Sequence, residues 1–146
     1  MVPFLDLKAQ YNQIKDEVNA AVMEVIDSCQ FILGEEVKAF EEEFAKYCKS
    51  EYCVALNSGT SALHLALLAL DVGPGDEVIT VSSTFIATTA AIRYAGATPI
   101  FVDVNKASWT MDENLIEAAI TEKTRLIIPV HLHGRVANMK AITKIA

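Results

Sequence analysis

Cys53-Val54-Ala55-Leu56-Asn57-Ser58-Gly59-Thr60-Ser61-Ala62-Leu63 is the stretch on which the fold turns. Its first four residues are an apolar run, read as a short strand. From about Ser61 to Leu70 the apolar residues recur at helical spacing. Between the two lies a turn of small and hydroxyl-bearing residues. A strand that feeds such a turn into a helix is an anion site in outline. Gly59 lets a ligand approach the backbone closely. The first N–H groups of a helix lack intrahelical acceptors, and the helix dipole favours negative charge beside them. Thr60 and Ser61 add hydroxyl donors. The competing reading is a plain N-capped helix, in which Ser58 or Thr60 closes its own first turn. On these residues alone both stand.

Beyond this stretch the strand–helix alternation repeats. Asp71-Val72-Gly73-Pro74-Gly75-Asp76 has the composition of a turn. Glu77–Val81 reads as a second strand, Phe85–Tyr94 as a helix ended by Gly96, and Thr98–Val102 as a third strand. Asp112–Ile120 reads as a helix capped by Asp112, and Leu126–Val130 as a fourth strand. A last helix begins near Met139. The pattern predicts an α/β fold, a mostly parallel sheet with helices on both faces in three layers. Ligands of such sheets sit beyond the carboxyl ends of the strands. The candidate site is therefore Asn57–Ser61, Ser82–Phe85 and His131–Arg135, with Asp103 on the same edge. The first turn is neither GxGxxG nor GxxxxGK[ST], which disfavours a dinucleotide fold or a P-loop.

Before the stretch, Met1–Gln10 reads as an extended arm. Ile14, Val18, Ala21, Val22 and Val25 mark a helix over Tyr11–Ser28. After Gly34, Val37, Phe40, Phe44 and Tyr47 mark a second one, with Glu41, Glu42 and Glu43 on its solvated side. The expected division is residues 1–50, an arm and helices, and residues 51–146, a portion of the strand–helix domain. The chain has 146 residues, a net charge of −7 and 52% hydrophobic residues. Those values suit a domain with a real core and disfavour nucleic acid as a partner. Cys29, Cys48 and Cys53 form no CxxC pair. With no signal-peptide pattern, reduced thiols in the cytoplasm are expected. No apolar run is long enough to span a membrane. The final residues read as the start of a helix with no stop signal, so the expectation is a fragment or a truncated reading frame.

The chain resembles the N-terminal part of the DegT/DnrJ/EryC1/StrS aminotransferases, pyridoxal-phosphate enzymes that aminate keto-sugars on nucleotide carriers. The resemblance rests on ordered segments along essentially the whole chain. They are Pro3-Phe4-Leu5-Asp6-Leu7, Gly34-Glu35-Glu36-Val37, Phe40-Glu41 and Asn57 to Leu63. Then come Gly73-Pro74-Gly75-Asp76-Glu77-Val78, Thr84-Phe85-Ile86-Ala87-Thr88, Phe101-Val102-Asp103-Val104 and Pro129-Val130-His131-Leu132.

The resemblance implies part of the large domain of a fold-type I transferase, with pyridoxal 5'-phosphate as cofactor. It assigns Gly59, Thr60 and Ser61 to the cofactor phosphate and Phe85 to stacking on the pyridine ring. Without it, Phe85 reads more readily as a core aromatic at a helix start. It places the covalent lysine and the aspartate that keeps the ring protonated after Ala146, so no catalytic residue is assigned here. Lys140 and Lys144 fall on a helix away from the site. The implied partners are a nucleotide-linked keto-sugar, an amino donor (glutamate) and a second copy of the chain, in a homodimer contacted through Met1–Gln10 and Phe31–Gly34. The family also holds dehydratases and regulatory members, and a non-catalytic dimerising or regulatory domain is the alternative function. The family commonly reads His-Leu-Tyr-Gly-Gln-Pro-Ala-Asp-Met where this chain has His131-Leu132-His133-Gly134-Arg135-Val136-Ala137-Asn138-Met139. Read as extended chain, His131 and His133 point to opposite sides, which disfavours a shared metal site.

Overall fold

The computed structural model describes residues 4–146, and the chain divides between Ala55 and Leu56 into two compact units. The first carries α1 (Leu7–Ser28) and α2 (Glu35–Cys48). Asp6 starts α1: its carboxylate accepts from the Ala9 N–H at 3.0 Å. The helix thus begins four residues before the apolar spacing indicates. The expected arm at Met1–Gln10 is corrected accordingly, being helical from Leu7, while Met1–Pro3 lie outside the described residues. Glu35 and Glu36 sit in the first turn of α2, where acidic groups complement the helix dipole. No residue of α1 is buried and α2 buries Ala45, so Ile14, Val18, Val22, Phe40 and Phe44 form exposed apolar stripes.

The strand expected over Cys53–Leu56 does not form. A strand exists only by pairing its backbone, and here the Ala55 N–H donates to the Glu41 carboxylate at 2.7 Å. Glu41 is therefore half-buried and engaged, not simply part of a solvated face.

The second unit has α3 (Gly59–Ala69), β1 (Glu77–Val81), α4 (Ala87–Tyr94), β2 (Thr98–Val102), α5 (Ile116–Ala119), β3 (Thr124–Ile127) and α6 (Met139–Ile145). The strands form a parallel sheet in the order β2-β1-β3. β1 alternates between two cores. Val78 packs with Leu67, Ala91 and Ile92 of α3 and α4. Ile79 and Val81 pack with Val102, Met111, Ile116 and Ile142, the last two from α5 and α6. The two crossovers run in opposite directions across the sheet, β1 to β2 and then back over β1 to β3. Right-handed connections must then lie on opposite faces, which gives the three layers.

Local chemistry sets the boundaries. Asp71, with φ 55, closes α3 as the Val72 N–H donates to the Leu67 carbonyl. The expected helix at Asp112–Ile120 forms as a 3-10 turn, Glu113–Leu115, followed by α5, with the Asp112 carboxylate capping the Asn114 N–H. The strand expected at Leu126–Val130 is shifted. It spans Thr124–Ile127, and one more bond follows from the Ile128 N–H to the Ile79 carbonyl before Pro129, which has no N–H, ends the ladder. The buried Thr80 hydroxyl donates to the Ile128 carbonyl at 3.0 Å.

Gly96 ends the α4 turn with φ +87, and a Cβ there would lie 2.9 Å from Pro74 Cγ. Gly96→Ala meets a left-handed backbone and a clash together. It is expected to destabilise the unit by about 1–3 kcal/mol, seen as a lower urea midpoint at unchanged slope. A loss below about 0.5 kcal/mol, the level of an ordinary surface change, contradicts this.

Candidate functional site

The carboxyl ends of the three parallel strands lie on one edge of the sheet. Ser82–Phe85 follow β1 and Asp103 follows β2, whereas His131–Arg135 come three residues after Ile128. The edge residues do not converge equally. Gly59, Thr60 and Phe85 line one concavity of about 610 Å³, together with Ala62, Leu63, Ala66, Ala87 and Thr88. It lies where the start of α3 meets the start of α4.

The start of α3 reconciles the two readings of its turn. Ser58 is the N-cap, its hydroxyl oxygen accepting from the Ser61 N–H at 3.1 Å. The same hydroxyl donates to Ser61 Oγ at 3.0 Å. Capping thus consumes one amide and leaves the Gly59 and Thr60 N–H groups without an acceptor among the described residues. Ser61 itself stands just outside the concavity, its oxygen engaged by Ser58. A Cβ built on Gly59 would meet nothing within 4 Å, so the helix start opens onto free space.

Phe85 is 76% exposed and is not the core aromatic that residue preference alone suggests. Its ring stands beside an apolar floor of Ala62, Leu63, Ala66 and Ala87. Two free amides at one end and a flat apolar surface at the other suit an anion joined to a flat aromatic ring. That donor set fits pyridoxal 5'-phosphate. Among the described residues no Lys or Arg lines the concavity, so its pull on an anion comes from backbone dipoles.

The other candidates are employed elsewhere. Asp103 Oδ1 accepts from the Val104 N–H at 2.7 Å, and the Asp103 carbonyl accepts from Asp112 N–H. His131–Arg135 is corrected from extended chain to a 3-10 turn at Leu132–Gly134, with His133 at φ 53. His131 and His133 therefore do not alternate across an extended strand. His131 Nδ1 accepts from the Ala137 N–H at 3.2 Å, and Arg135 Nη1 donates to the Ala107 carbonyl at 3.2 Å. Lys140 and Lys144 are exposed on α6, which packs through Ile142 on the face opposite α3 and α4. Thr88, which also lines the concavity, is not singled out by the sequence pattern; the signal for it is the i, i+4 spacing to Thr84. No helix among the described residues is long and apolar enough to cross a membrane.

Known proteins share this fold and much of this sequence. The model of the DegT/DnrJ/EryC1/StrS aminotransferase family matches residues 12–146. A dTDP-3-amino-3,4,6-trideoxy-alpha-D-glucose transaminase of Streptomyces venezuelae is 48% identical over 99% of this chain and 38% of its own length. A pleiotropic regulatory protein of Geobacillus stearothermophilus is also 48% identical, over 99% of this chain and 39% of its own. The crystal structure of NtdA from Bacillus subtilis with bound cofactor PMP superposes with a TM-score of 0.94 at 38% identity, covering 99% of this chain and 34% of that one. The chain thus spans about two fifths of the length of the curated relatives it matches. Its parallel sheet and flanking helices are part of the large domain of a fold-type I transferase. The chain belongs to the DegT/DnrJ/EryC1/StrS aminotransferase family.

Proposed function

We propose that this chain is the N-terminal part of a pyridoxal-phosphate aminotransferase that moves an amino group, from glutamate, to a keto-sugar on a nucleotide carrier. The single observation that carries the reading is the convergence of the two free amides of α3 and the exposed Phe85 ring on one concavity. Gly59 and Thr60 would hold the cofactor phosphate through their N–H groups and the Thr60 hydroxyl would add a donor, while Ser61, whose oxygen accepts from Ser58, has its own O–H to donate from just outside the concavity. Phe85 would stack on the ring and keep water from it. The bound cofactor supplies an electron sink for the carbanion that amino transfer requires. No residue of this chain is assigned to proton transfer. A homodimer in the cytoplasm completes the reading. The exposed Phe31, Ile32 and Leu33 and the bare apolar stripe of α1 support self-association.

A second reading, a non-catalytic dimerising or regulatory protein of the same fold, is favoured by the relative named as a pleiotropic regulatory protein. One experiment separates the two. The full natural protein is reduced with borohydride in the presence of pyridoxal phosphate, weighed intact, and assayed for glutamate-dependent amination of nucleotide-linked keto-sugars. A covalent mass gain with turnover supports the aminotransferase. A mass gain without turnover on any such sugar supports the regulatory reading, and no mass gain overturns the cofactor site. Phe85→Ala is expected to weaken cofactor binding about 5- to 150-fold, from stacking values of about 1–3 kcal/mol. An affinity unchanged in that variant contradicts the assignment of the ring.

A further inference from the structure

The Phe85 ring is 76% exposed, so packing does not fix it and its backbone must. That backbone is tied on both sides: the Thr84 N–H donates to the Ser82 carbonyl at 2.9 Å, and the Phe85 carbonyl accepts from the Thr88 N–H at 3.2 Å. Yet α4 opens without a side-chain cap, its N-cap Ile86 making no such bond. In place of a cap, the hydroxyls of Thr84 and Thr88 hydrogen-bond at 2.9 Å. The two residues bracket Phe85 at the i, i+4 spacing that brings helical side chains together. Thr88 is buried, at 7% exposure, and lines the concavity, while Thr84 is half-buried. Sheltered from water, the pair competes weakly with solvent and holds its geometry.

We propose that the Thr84–Thr88 hydroxyl pair is the positioning device for Phe85, clamping the turn after β1 so that the ring stands over the concavity. What the ring is positioned for rests on the cofactor reading above; the clamp is a property of the chain alone. Neither threonine is a catalytic residue. A neutral hydrogen bond is worth about fivefold in a local opening equilibrium.

The test uses Thr84→Val, Thr88→Val, the double variant and Thr88→Ser in the full natural protein. Hydrogen–deuterium exchange over residues 82–93 is read by mass spectrometry, beside affinities for pyridoxal phosphate and for inorganic phosphate. Each valine variant is expected to speed exchange at residues 85–88 about five- to tenfold. The double variant adds nothing beyond a single one, because both remove the same bond. Thr88→Ser behaves as the parent. Pyridoxal phosphate affinity falls about five- to tenfold with the valines, while inorganic phosphate, held by the start of α3, is unaffected. Exchange that does not change, single effects that add, or a serine variant as impaired as the valine overturns the clamp. If the parent takes up no pyridoxal phosphate, the cofactor reading falls, and the exchange data still decide the clamp.

Discussion

Gly59→Asp is expected to weaken pyridoxal phosphate binding by at least about a hundredfold while making the fold slightly more stable. The added side chain enters open space, since even a Cβ at Gly59 has no neighbour within 4 Å. At the first position of α3 a carboxylate faces the positive end of the helix dipole, which favours the helix by about 0.3–1 kcal/mol. The same carboxylate stands where the phosphate would lie. Two like charges about 4 Å apart repel by about 4 kcal/mol at an effective dielectric of 20. Among the described residues no Lys or Arg lines the concavity to absorb that repulsion. Stability and binding should therefore move in opposite directions, a combination that general damage does not produce. Isothermal titration with pyridoxal phosphate and a thermal melt on the same sample check it. A variant that binds within about threefold of the parent contradicts the phosphate assignment, since charge effects of this size span decades.

Ile79→Ala carries the largest expected cost to the fold. Ile79 is fully buried at the centre of β1, in the cluster formed with Val102, Met111, Ile116 and Ile142. Truncation removes the transfer energy of three carbons and leaves a cavity that β1, paired on both sides, cannot collapse to fill. The expected loss is about 2–5 kcal/mol, against about 0.5–1.5 kcal/mol for Ile79→Val. That is a large share of the roughly 5–15 kcal/mol that holds a domain folded. Urea unfolding of both variants gives the comparison. Equal losses for the two, or a loss near zero for alanine, contradict the two-core sheet.

The legible parts of the sequence were those whose structure is written locally. β1 and β2 follow from β-branched runs, and α2 from an apolar face that the heptad-like spacing of Val37, Phe40, Phe44 and Tyr47 displays. The illegible parts depend on partners distant in the chain. Cys53–Leu56 has the composition of a strand, but its Ala55 N–H is taken by Glu41, fourteen residues earlier, and nothing in a linear sequence shows that. His131–Arg135 alternates like a strand, yet His133 and Gly134 both adopt positive φ and turn the chain. At the site, the sequence of the Gly59 turn suits either a cap or an anion cradle. Ser58 serves as the cap and leaves two neighbouring amides free, so the two roles occupy different N–H groups. Phe85 was recognisable through the family resemblance and not through its own chemistry, because exposure is a tertiary property.

The measurement closest to the central claim is a crystal structure of the full natural protein grown with pyridoxal phosphate. Phosphate oxygens are expected within hydrogen-bond distance of the Gly59 and Thr60 N–H groups, with the pyridine ring against Phe85. A phosphate bound away from the start of α3, or a ring that makes no contact with Phe85, would contradict it.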